Sequence, residues 1–147
     1  MRNFCNVSNM RWLVYVLIGV AFGVADYYIE TTARQFLTYP LLLFVGGVWI
    51  IPSSLVAFYE VKRSGSKLHT IVASTLVWMA GVVAYYVHYA IMLTLDNEVV
   101  AFSWGDILFD AAFWGVAAAV GGAVVGFLTA TLHKVLSKKK ISPKDKA

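Results

Sequence analysis

Charge is scarce in this chain of 147 residues: Lys, Arg, Asp and Glu make up 14% of it, whereas apolar types make up 60%. With a mean hydropathy of +0.72, that balance excludes an ordinary soluble domain and points to an integral membrane protein. Cysteine is almost absent as well. The one thiol, Cys5, has no partner within the chain, so no disulfide framework can hold the fold. Lying just before an apolar run, Cys5 is either an idle thiol or a palmitoylation site. No GxSxG elbow, HExxH helix, P-loop, HxxxH, ExxH or CxxC spacing occurs. Nothing therefore identifies a nucleophile, a metalloprotease centre or a nucleotide cradle, and a non-enzymatic role is the expectation.

What the chain does have is long apolar runs. A helix needs roughly 20 apolar residues to cross hydrocarbon about 30 Å thick, since its backbone groups must bond within the segment. Four runs qualify, at about residues 12–29, 39–59, 71–95 and 107–132. The connections ETTARQFLT, EVKRSGSKLH and DNEVVAFSWGD are too short to hold a domain. Residues 1–133 are read as one four-span domain and residues 134–147 as a Lys-rich cytoplasmic tail.

Basic residues near membrane spans are retained on the cytoplasmic side. Eleven of the twelve Lys and Arg fall before the first run, between the second and third, or after the fourth; Arg34 alone lies opposite. The expectation is an all-α membrane protein, an antiparallel four-helix transmembrane bundle with both termini cytoplasmic, in the plasma (inner) membrane. A competing reading takes Arg2, Arg11, the apolar stretch to Phe22 and Gly23-Val24-Ala25 as a cleavable signal peptide. The Lys-rich tail draws anionic headgroups or simply fixes topology. Without a folded basic face or interleaved aromatics, nucleic acid is not an expected partner.

Small residues let helices approach closely in lipid. Ala118, Gly122 and Gly126 repeat every four residues in the fourth run, with Gly115 seven before Gly122, and Gly19 and Gly23 repeat in the first. Either pattern can serve the internal bundle, a homo-oligomer or a membrane-protein partner. In the second run, Pro52 removes a helix N–H and should kink the helix. Ser53 and Ser54 are placed to re-satisfy freed backbone groups; the alternative is a broken helix lining a solute site.

Acidic residues gather opposite the basic ones. Asp26 and Glu30 sit one turn apart at the outer end of the first span, and Asp106 and Asp110 one turn apart at the outer start of the last. Asp26 shares a face with Gly19, and Asp110 shares one with Ala117 and Gly121, which directs both towards helix contacts. His88 lies within the third span, on a stripe with Ser74, Gly81 and Leu95, about 7 to 8 Å outward of the bilayer centre. Tyr85 lies beside that stripe. Asp26, His88 and Asp110 are therefore expected to converge from three helices, with Glu30 and Asp106 at the mouth.

Ionisable groups inside a membrane are costly, which makes them a functional hypothesis by default. One imidazole with carboxylates can bind a borderline cation or relay a proton. The same groups can instead fasten helices by hydrogen bonds. His69 and His133 mark helix ends, about 28 Å along the helix from His88 in the case of His69, so bis-histidine haem ligation at His88 is excluded. Two functions remain. The first is binding or passage of a small cationic or proton-linked solute at Asp26, His88 and Asp110, with Glu30, Asp106 and Tyr85 around them. The second is a non-catalytic assembly or accessory subunit of a larger membrane complex. The composition leaves the metal, if any, and the cofactor unspecified.

Overall fold

The computed structural model describes residues 4–36, 49–95 and 104–141, which are helical except at Trp49 and Gly65-Ser66. Helix α1 spans Phe4–Phe36, α2 Ile50–Ser64, α3 Lys67–Leu95 and α4 Trp104–Ile141. Three of them are long and apolar enough to cross a membrane, over Met10–Thr32, Lys67–Leu95 and Trp104–Ser137. The fifteen residues of α2 extend about 22 Å, short of hydrocarbon about 30 Å thick. Residues 39–48, the expected first part of the second span with its Gly46-Gly47 pair, lie outside the described residues. So do Arg2, Asp96, Glu98 and the chain from residue 142 onward.

The helices run past the ends of the apolar stretches, and at the junction of α2 and α3 caps set the boundary. Gly65 adopts a left-handed φ of 62°, and its N–H bonds the Val61 carbonyl at 3.0 Å, closing α2. Ser66 then opens α3: its hydroxyl accepts from the His69 N–H at 3.4 Å, and its carbonyl accepts from the Thr70 N–H and hydroxyl. The ten-residue loop expected from EVKRSGSKLH thus shrinks to a two-residue turn, and α2 and α3 fold back on one another. Pro52 stands in the first turn of α2, where a missing N–H costs least. The Ser53 hydroxyl donates to the carbonyls of Trp49 at 2.9 Å and Ile50 at 3.1 Å, tying its side chain into the turn that holds the proline; Val48, whose carbonyl the proline would leave free, lies outside the described residues.

Helix α3 is the axis of the packing: it touches α1, α2 and α4, while α1 and α4 do not meet among the described residues. Small residues set each close approach. A Cβ on Gly19 would overlap the Val77 carbonyl, and one on Gly23 would overlap the Gly81 backbone, so α1 and α3 run side by side in the same direction. A Cβ on Gly122 would come within 2.7 Å of the Thr75 Cα, and one on Gly126 within 2.7 Å of the Ile71 Cα, so α4 runs against α3. Both glycine stripes are therefore taken up within the chain. Gly115 is the exception, with open space among the described residues where a side chain would be.

The buried apolar cluster is small. Tyr15, Val56, Ala73 and Val77 form it where α1, α2 and α3 meet, with Trp12, Ile18 and Leu76 packed around them. Large apolar residues such as Leu13, Leu17, Val83, Phe109, Phe113 and Val116 stand on the outside. In water such a surface would drive aggregation; against lipid it needs no partner, and helix contacts are left to small residues and polar bonds.

Candidate functional site

The basic residues Arg11, Lys62, Arg63, Lys67 and Lys134 lie at one end of the helices and Asp26, Glu30, Asp106 and Asp110 at the other. At the acidic end, Asp26 accepts the indole N–H of Trp49 on Oδ2 at 2.8 Å, joining α1 to the start of α2. Its other oxygen, Oδ1, is buried and has no hydrogen-bond partner among the described residues. Glu30, one turn on, is within electrostatic reach of Asp26 and accepts a short hydrogen bond from the Tyr85 hydroxyl of α3.

Tyr86, the next residue along α3, lies within electrostatic reach of both Glu30 and Asp110 of α4. The Tyr85–Glu30 hydrogen bond joins α1 to α3 at the acidic end, and Asp110 of α4 adds its charge nearby. Asp106 and Asp110 are themselves exposed. At that level the inward face of α4 belongs to Ile107, which is buried, and the direction expected for Asp110 from Ala117 and Gly121 is thereby displaced towards the outside.

His88 belongs to the aromatic side of this set. Its Nε2 is 3.1 Å from the Tyr28 hydroxyl, and its ring packs edge-on against Tyr27 at 4.8 Å between centroids. Tyr28 is half-exposed, which puts the imidazole at the rim between α1 and α3. Among the described residues Asp26 and His88 share no hydrogen-bond partner: the former looks to Trp49, while the latter looks to Tyr27 and Tyr28. Tyr27 also packs against Tyr85 and Tyr89, which completes a tyrosine belt at this end. Among the described residues no three His, Cys, Asp or Glu come together as metal ligands do. His69 packs against Trp12 and His133 against Phe58, so the two have different neighbours.

Two features escape a reading of spacing alone. The first is a tryptophan ladder. The Trp49 ring fills the space beside Gly81, lies 6.1 Å from Trp78, and Trp78 in turn covers Gly121. Indoles from α2 and α3 thus occupy what glycines on α3 and α4 leave open, and Trp49 is held in place to bond Asp26.

The second is at the basic end. Glu60 is fully buried, accepting Arg11 Nη1 on Oε1 at 3.1 Å and the Tyr15 hydroxyl on Oε2 at 2.7 Å. Arg11 and Tyr15 stand one turn apart on α1, so α2 is clamped to two successive turns of α1. The signal available in the sequence is that Glu60 is the only acidic residue before the tail on the basic side. A lone acid amid basic residues has a cation to bond. Comparison with family models, curated proteins and solved structures gives no match to the chain.

Proposed function

We propose that the four helices cross the plasma membrane as an antiparallel bundle with both termini and the basic end in the cytoplasm, bent at Pro52. In this arrangement the protein binds or passes a small cationic or proton-linked solute through the acidic end, with Asp26 as the binding carboxylate. The observation that carries this reading is the Oδ1 of Asp26, buried without a partner among the described residues. A carboxylate oxygen taken out of water and left unbonded is a strained acceptor, which a cation or proton relieves.

Glu30 adds a second carboxylate one turn away, Tyr85 orients it, and Asp110 adds charge from α4. Asp106 serves at the rim, its charge drawing a cation towards the mouth, and His88 stands at the same rim beside Tyr28. The test is flux in proteoliposomes carrying a trapped pH-reporting dye, with ethidium as the cationic probe. Wild-type protein should couple ethidium entry to proton movement, and Asp26→Asn should abolish the coupling. Dye traces from wild type that match those of protein-free vesicles would overturn the reading.

A second reading, a non-catalytic subunit of a larger membrane assembly, draws on one observation: among the described residues nothing fills the space beside Gly115 of α4, unlike that beside Gly121, Gly122 and Gly126. Under that reading the acidic end only fixes helix register. Co-purification of a stoichiometric membrane partner that is lost with Gly115→Leu would favour it.

A further inference from the structure

Between α1 and α2, at the basic end, lies an open groove of about 480 Å³ lined by Met10, Arg11, Val14, Tyr15, Ile18, Leu55, Val56, Tyr59 and Arg63. Its volume is within the range of about 300 to 1,000 Å³ common to ligand clefts. Its chemistry is graded along its length. Arg11 and Arg63 stand at one end, because the Arg11–Glu60 pair fixes α1 and α2 in opposite directions. Ile18 and Leu55 lie seven and eight residues away from them respectively, about 10 to 12 Å deeper along the helices. The deep part is walled by Val14, Ile18, Leu55 and Val56, all apolar.

We propose that this groove holds an anionic phospholipid of the leaflet facing the basic end, with its phosphate on Arg63 and Arg11 and an acyl chain along Val14, Ile18 and Leu55. Charge complementarity argues for that occupant. The lining carries two guanidiniums and no carboxylate, since Glu60 is wholly buried behind Arg11 and Tyr15. Arg63 is exposed, and among the described residues its side chain bonds only the Tyr59 hydroxyl, at a long 3.4 Å. Arg11 gives Nη1 to Glu60 and keeps 18% of its side chain exposed beside Arg63 at the head of the groove.

Guanidinium donors left over at the head of an apolar trough match a phosphate followed by hydrocarbon, the planar fork of Arg suiting phosphate oxygens better than a point charge would. Lys62 lies close by but is placed over the Phe58 ring and is not part of the lining, so it supplies a control for bulk charge.

The experiment is native mass spectrometry of the full-length protein in mild detergent, titrated with phosphatidylglycerol or phosphatidylcholine of identical acyl chains. Wild type should retain phosphatidylglycerol preferentially. Arg63→Gln should lower its retention about fivefold, as expected for one basic contact at a membrane surface, and Leu55→Trp, which fills the trough, should lower retention of both lipids. Lys62→Gln should leave the preference in place. Circular dichroism and gel filtration of each variant check that the fold is kept, Arg63, Leu55 and Lys62 all being exposed. Equal retention of the two lipids by wild type, an equal loss with Lys62→Gln, or competition by inorganic phosphate alone would overturn the proposal. So would a dimer of this chain that is abolished by Leu55→Trp, since the groove would then hold a second copy.

Discussion

Tyr15 of α1 donates its hydroxyl proton to Glu60 of α2 across 2.7 Å, and Arg11, one turn before Tyr15, completes the enclosure of a carboxylate that no solvent reaches. The contact explains how a helix with only fifteen described residues is held to α1, which it otherwise meets in few places. A buried ion pair gives little net stability over apolar replacements, but breaking one side of it is costly.

Glu60→Ala should therefore destabilise the protein strongly, by about 3 to 5 kcal/mol, because the Arg11 guanidinium is left without its counter-charge. Tyr15→Phe removes one hydrogen bond to a charged group and should cost less, about 1.5 to 3 kcal/mol. The double substitution Arg11→Met with Glu60→Met should lie closer to wild type than either single one does. Thermal unfolding in detergent, arranged as a double-mutant cycle, measures all of these. Additive losses for Arg11 and Glu60 would show that the pair is not coupled.

The approach of α1 to α3 rests on Gly23 meeting Gly81 backbone to backbone. Gly23→Ala should part the two helices and cost about 1 to 3 kcal/mol through overpacking, since the overlapped atoms belong to a backbone that cannot rotate away. Gly115→Ala, with open space around it, should fall within about 1 kcal/mol of wild type, or gain slightly from helix propensity. Unfolding temperatures of the two variants, measured side by side, decide the matter. A large loss at Gly115 would mean that its face is filled by something outside the described residues.

At the acidic end, structural and functional roles of Asp26 can be separated. Trp49→Phe removes the only hydrogen-bond donor to Asp26 among the described residues and should cost about 1 to 3 kcal/mol, leaving a half-buried carboxylate unsatisfied. Adding Asp26→Leu removes the unsatisfied group and should restore much of that stability. Flux should behave differently, remaining absent in the double variant however well it folds. Recovery of flux together with stability would show that Asp26 is only a fastener.

Much of the frame was legible because membrane spans are written in composition. Three apolar runs became helices that cover the expected spans, and the periodic Gly19, Gly23, Gly122 and Gly126 lie at the helix contacts. Directions of side chains at the helix ends were less legible. Asp110 lines up with a small-residue face by periodicity, yet Ile107 is the buried residue at that level and Asp110 is exposed. Trp49 and Glu60 were hidden for another reason: their partners Asp26 and Arg11 lie on a different helix, and no local spacing encodes which face of α2 will meet α1.

His88 is the sharpest case of that limit. Its stripe through Ser74 and Gly81 does face neighbouring helices, with Ser74 wholly buried and Gly81 closed in by Gly23 and Trp49. Two turns beyond Gly81, the stripe meets Tyr27 and Tyr28 instead of a carboxylate, and the imidazole rests at the rim on a tyrosine hydroxyl. His88→Phe keeps the ring packing and gives up a hydrogen bond to a half-exposed partner, so it should cost no more than about 1 kcal/mol. Ethidium-coupled proton flux should survive His88→Phe while Asp26→Asn abolishes it, which places the essential titrating group on α1. Loss of flux in His88→Phe, with the fold intact by circular dichroism, would instead extend the binding centre from Asp26 through Glu30 and Tyr85 to the histidine.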